Sequence, residues 1–95
     1  MTALSLNNMP TISRFLGIEI TFNYRGEHNP PHFHAYYSGT EGTFQIQPLG
    51  YITGTLPARV IALVLEWAAL HQSELTQAWD LARAKQPIPS IDPLV

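Results

Sequence analysis

Hydrophobic residues change period once along this chain, and that change limits the possible folds more than any other feature. Up to Thr53 they alternate with polar residues. Ile18, Ile20, Phe22 and Tyr24 are separated by Glu19, Thr21 and Asn23. Phe33, Ala35 and Tyr37 flank His34 and Tyr36, and Phe44 and Ile46 lie between Thr43, Gln45 and Gln47. A period of two puts each set on its own face, the pattern of half-buried strands. From Pro57 onward the spacing becomes helical: Val60, Ile61, Val64, Leu65, Trp67 and Ala68, then Leu75, Ala78, Trp79 and Ala82. Proline suits a first helical turn, with Thr55 or Leu56 near the cap. One straight helix over 57–85 would run ~43 Å, too long for so short a chain to cover. A break near His71-Gln72-Ser73-Glu74 is therefore expected, with Ser73 as a second cap. Strands first and helices after imply an α+β fold. The expected form is an antiparallel meander of about four short strands, with two helices (or one bent helix) packed on one face.

The connections follow from turn chemistry. Residues 1–8 carry no pattern and are expected to be a flexible N-terminal tail before a single domain over 9–95. Met9 to Phe15, apolar at intervals, is expected along an edge of the fold, and Gly17 marks a turn or bulge. Arg25-Gly26 ends the first strand. Ser38-Gly39-Thr40-Glu41-Gly42 is a turn by composition. A hairpin loop of Ser38 to Glu41 would pair Ala35 with Phe44 and Phe33 with Ile46. His34 would then face Gln45, and His32 would face Gln47. Pro48-Leu49-Gly50 turns the chain again, and Tyr51 to Thr53 forms a short fourth strand ending at Gly54. Trp67 and Trp79 are expected core anchors. His71 lies on the helical stripe of Val64, Trp67 and Leu75 and is expected as a buried, hydrogen-bonded helix residue. Arg83 and Lys85 suit a helix C-terminus. Pro87, Pro89 and Pro93 keep the last residues extended, with Ile88, Ile91 and Leu94 packing them on the body.

Composition excludes several functional classes. Ninety-five residues suffice for one modest core. Cysteine is absent, so there is no disulfide framework and no thiolate metal site. The net charge is −2 with five Lys plus Arg, a poor endowment for gripping phosphate backbones. Residues 41–95 hold five acids against three bases, so any anionic ligand would favour the first half of the chain. The start Met-Thr-Ala-Leu-Ser-Leu lacks the basic and apolar regions of a secretion signal. No run approaches the ~18 apolar residues of a membrane span. A cytoplasmic location away from membranes is the expectation.

Three of the four histidines fall in the stretch Glu27-His28-Asn29-Pro30-Pro31-His32-Phe33-His34. The prolines remove two backbone donors and bias Asn29 away from helix. By alternation His32, His34 and Tyr36 share one strand face, and Thr21, Asn23, Gln45 and Gln47 join them on the polar side of the sheet. Antiparallel sheets commonly leave such a face in water. Four uses of the stretch stay open. The histidines can bond backbone carbonyls and lock the loop, with Phe33 as anchor. They can hold zinc: His32 and His34 project as a pair, His28 returns from the loop, and Glu27 serves as orienter or base. They can cleave RNA without metal, with one histidine as base and another as acid. Arg25 would then stabilise the phosphorane and Tyr36 or Tyr37 would stack on a base. Finally, the histidine and tyrosine face, or an open strand edge, can dock a partner. Candidate catalytic residues are therefore His28, His32, His34, Arg25 and Tyr36. Candidate metal ligands are His28, His32 and His34, and the expected cofactor is none, with zinc as the alternative.

Several blocks together carry a resemblance. Met9-Pro10-Thr11-Ile12, His28-Asn29-Pro30-Pro31-His32-Phe33-His34-Ala35, Glu66-Trp67 to His71, Glu74-Leu75 with Trp79, and Ile91-Asp92-Pro93-Leu94 are among its residues. With them the chain resembles the "domain of unknown function 4160" family of small bacterial proteins, over roughly residues 9–95. The proline and histidine block is the specific part. The resemblance brings no established activity. It implies genomic company: a small neighbouring gene of the "domain of unknown function 2442" family, in an arrangement similar to a two-gene toxin–antitoxin module. The expected function is a partner-binding component of such a module. The alternative is a small hydrolase or ribonuclease using His28, His32 and His34, with or without zinc. A nucleic-acid partner is compatible with that alternative but not supported by net charge.

Overall fold

Two tight hairpins set the geometry of the sheet. Strand β1 (Thr11–Phe15) turns into β2 (Ile18–Thr21) through Leu16 and Gly17, and β3 (His32–Tyr37) turns into β4 (Thr40–Gln45) through Ser38 and Gly39. All four turn residues have positive φ, from 48° to 80°. Two consecutive positive φ values make type I′ turns, whose twist matches that of the strands they join. After residues 46–49, β5 (Gly50–Gly54) completes an antiparallel sheet in the order β1-β2-β3-β4-β5. The computed structural model describes residues 10–23 and 29–95. The expected tail over residues 1–8, Met9, Tyr24 at the expected strand end, and the loop residues Arg25, Gly26, Glu27 and His28 lie outside the described residues.

The fold is thus α+β, with five strands among the described residues rather than about four. The additional one is β1, which does lie at an edge. It does not alternate cleanly because a bulge at Ile12 leaves both Ile12 and Ser13 buried. The expected hairpin register is off by two. Phe33 pairs with Phe44 and Ala35 with Gly42, while His34 faces Thr43 and His32 faces Gln45. The turn takes two residues instead of four, so β4 starts at Thr40. A slip of two keeps every side chain on its expected face.

Helix α1 (Ala58–Leu70) and helix α2 (Gln72–Arg83) follow. Pro57 is itself the cap of α1, with extended ψ of 149°, so neither Thr55 nor Leu56 holds that place. The break falls at His71, and Ser73 lies inside α2 rather than capping it. His71 closes one helix and opens the next: its N–H donates to Ala68 O at 3.1 Å and its carbonyl accepts from Leu75 N–H at 2.9 Å. One residue therefore suffices for the change of direction. His71 keeps a side-chain exposure of 15% and bonds Glu74 Oε1 at 2.5 Å through Nδ1.

One apolar cluster joins the inward strand residues to both helices. Phe33 is its centre. It stacks on Phe44 at 5.3 Å and meets Trp67 edge-on at 5.9 Å. Burying an aromatic side chain of this kind contributes about 1.5–3 kcal/mol. Trp67 and Trp79 are both buried, as anchors should be. The chain end is tied twice: Ile91 N–H donates to Ile12 O, and Trp67 Nε1–H donates to Asp92 O, each at 2.8 Å. No helix among the described residues is long and apolar enough to cross a membrane.

Candidate functional site

Because the inward set is fixed by Phe33, the other set of each strand is fixed too. Registers across the sheet arrange that outward set in rows. The middle row runs through all five strands: Thr11, Thr21, His34, Thr43 and Thr53 are successive cross-strand partners. Beside it, toward the β3–β4 turn, lies a row of Arg14, Glu19, Tyr36 and Glu41. On its other side His32 faces Gln45. His32, His34, Tyr36, Thr43 and Gln45 are each half-buried, as a face left partly open to water requires. Asn23 follows the end of β2, and Gln47 lies beyond the end of β4, so Gln45 takes the expected place of Gln47 opposite His32.

His34 sits at the centre. Its Nδ1 is 3.4 Å from Thr43 Oγ1, and its buried Nε2 has no hydrogen-bond partner among the described residues. The neighbouring Thr21 is 3% exposed, and its hydroxyl also lacks a partner. Burial holds the His34 pKa below the usual histidine value; His32 pushes it further down and Glu41 opposes the shift. Tyr36 shifts upward, first by burial and then by Glu41 and Glu19. Thr21 works against that rise from close by, short of hydrogen-bond geometry.

His32 plays a different part. Its Nδ1–H donates to Pro30 O at 2.8 Å, tying the strand to the proline loop. His32 meets His34 edge-on at 5.3 Å between centroids and lies 5.1 Å from the Trp79 ring of α2. Arg83 Cζ lies over that indole, 5.9 Å from its centroid. The structure thus brings His32, His34 and Tyr36 to one face. His28 and Arg25, the other candidate catalytic residues, lie outside the described residues, as does Glu27. Among the described residues no group of three or more His, Cys, Asp or Glu can hold a metal ion. His32 and His34 remain two of the three expected zinc ligands.

Sequence reasoning missed Thr11, Thr53, Glu19, Glu41 and Trp79 as neighbours of this site. Only strand register reveals the first four, and no local pattern places a helix tryptophan beside His32. Taken together, the fold and site define a small α+β protein whose helices share one core with the inward face of the sheet, whose outward face is polar and half-buried, and whose Trp79 on α2 meets His32 of that face. The chain belongs to the family described as "Domain of unknown function (DUF4160)", whose model matches residues 17–80. Comparisons with curated proteins and with solved structures return no match.

Proposed function

We propose that this protein is a partner-binding component of a two-gene module of toxin–antitoxin type, and that it docks its partner on the outward face of the sheet. The observation that supports this best is the middle row. Thr21 Oγ1 and His34 Nε2 are adjacent, buried and unpaired among the described residues. A buried polar atom left without a hydrogen bond costs about 1–3 kcal/mol. A docked chain that displaces the side chains covering these two atoms and supplies the missing bonds recovers that energy on binding, at the centre of an interface where hot spots concentrate. The proposed partner is the small protein of the neighbouring gene that the family resemblance implies.

The ribonuclease reading has one observation in its favour. Burial keeps His34 neutral, beside a second imidazole, as a general base near neutral pH must be. Against it, Glu19 and Glu41 flank Tyr36 on the same face and repel phosphate. The partner reading is tested by co-expression with the neighbouring gene and affinity capture. The expected result is a stoichiometric complex that His34→Ala weakens by about 10-fold or more, the scale of a hot-spot truncation. Failure to co-purify, together with growth arrest and RNA degradation on expression alone, overturns docking in favour of the nuclease.

A further inference from the structure

We infer that the segment docking on this face carries a cationic side chain, arginine or lysine, seated over the Tyr36 ring between Glu19 and Glu41. The inference rests on the docking reading above and adds the chemistry of the partner.

The register places Glu19, Tyr36 and Glu41 side by side on β2, β3 and β4. Neighbouring strands lie about 4.8 Å apart, so the two carboxylates start about 10 Å apart at the backbone, with an aromatic ring between. That is too wide for one metal ion, whose oxygen ligands must all approach to about 2–2.6 Å. It suits an organic cation, which a ring face and flanking carboxylates attract together. Glu41 is exposed and Tyr36 half-buried, so the place is reachable. Glu19 is already held by the Thr11 hydroxyl and pairs loosely with Arg14 at 3.4 Å. Arg14, with 73% of its side chain exposed, is the row's own cation. Arg14 lies beyond Glu19, on the far side from Tyr36, and so leaves the Tyr36–Glu41 side of the row without a cation among the described residues.

A second observation is independent of the carboxylates. Thr21 stands diagonal to Tyr36 in the next row, nine-tenths buried; its hydroxyl interacts with the phenol and has no partner of full hydrogen-bond geometry among the described residues. A guanidinium offers five donors in a fixed fork, an ammonium three. Either can bond the exposed Glu41 carboxylate while it lies against the half-buried Tyr36 ring. A phosphate or an acidic segment meets the opposite arrangement and is refused.

The test needs no identified partner. The full-length protein, labelled with 15N, is titrated with the peptide Arg-Gly-Arg-Gly-Arg and separately with Glu-Gly-Glu-Gly-Glu. The expected result is saturable shifts at the amides of Glu19, Thr21, His34, Tyr36 and Glu41 with the arginine peptide, and none with the acidic one. Glu19→Gln with Glu41→Gln should weaken the arginine peptide about 3- to 10-fold, since exposed charge pairs are individually modest. Glutamine still accepts from Thr11, so the sheet stays folded, and amide dispersion checks this. Tyr36→Leu, which keeps both carboxylates, should weaken it as well. Shifts elsewhere, equal response to both peptides, or unchanged affinity in the glutamine variant overturn the cation site. Co-purification tests docking itself. A complex that forms equally well with the glutamine variant retains docking and removes the cation.

Discussion

Thr21→Val should stabilise the protein and weaken its partner binding at the same time. Threonine to valine in a core normally costs stability, because a bonded hydroxyl is lost. Here the sign reverses. Thr21 is 3% exposed and its Oγ1 has no hydrogen-bond partner among the described residues. Burying a hydroxyl without a bond costs about 1–3 kcal/mol on protein scales. Valine has the same shape, removes that cost and suits a strand. Allowing for the loss of the weak interaction with Tyr36, a gain of about 1 kcal/mol is expected. For a chain of this length the entropy of unfolding is about 0.2 kcal/mol per degree, so Tm should rise by about 5 °C. Thermal unfolding followed by circular dichroism measures this, and affinity for the partner is measured on the same samples. A fall in Tm would mean that the hydroxyl is satisfied in the folded protein. The argument for an unpaired polar pair awaiting a partner would then fail.

Other consequences follow from the same geometry. Gly54 has φ of +137°, and a Cβ there would lie 2.3 Å from Glu41 O, whereas nothing stands within 4 Å of a Cβ at Gly50. Gly54→Ala should therefore cost about 2 kcal/mol or more, while Gly50→Ala changes stability by less than about 0.5 kcal/mol, as paired urea melts will report. Trp67→Phe removes the donor to Asp92 O at 2.8 Å. It should lower stability by about 1–2 kcal/mol and expose the last residues to carboxypeptidase, which mass spectrometry follows. The depressed pKa of His34 means that the unfolded chain takes up its proton first as pH falls. The neutral, buried ring therefore contributes its full stability above the ordinary histidine pKa, about 6.5. That contribution is lost as pH falls from there through the folded value. His34→Gln should accordingly flatten part of the decline in Tm between about pH 7.5 and 5. An unchanged slope would remove burial of this ring as a cause.

Much of the sheet was legible because burial writes itself into the period. Ile18, Ile20 and Phe22, then Phe33 and Ala35, alternate as their pleat demands, and all five are buried. Register was less legible. The Ser38-Gly39 turn needs two positive φ values, and serine rarely signals that, so the loop read two residues too long. The face assignment survived because the error was even. β1 was harder to recognise because its bulge buries two successive residues and breaks the alternation. The helix break was visible in length alone, but its cap was not, since His71 serves both helices through backbone bonds. Of the site, the pairing of His32 and His34 with Tyr36 followed from alternation. The threonine row depends on four registers at once and the Glu19–Tyr36–Glu41 row on two, which no single stretch of sequence encodes.

The central claim is that the outward face of the sheet is where this protein meets its partner. Chemical-shift mapping of the 15N-labelled protein against the purified product of the neighbouring gene tests it most directly. The account predicts shifts concentrated at Thr21, His34, Tyr36, Glu41 and Thr43, with the helices largely silent. Shifts confined to α1, α2 or the chain end, or no shifts at a partner concentration above 1 mM, about the weakest affinity such a complex would show, would contradict it.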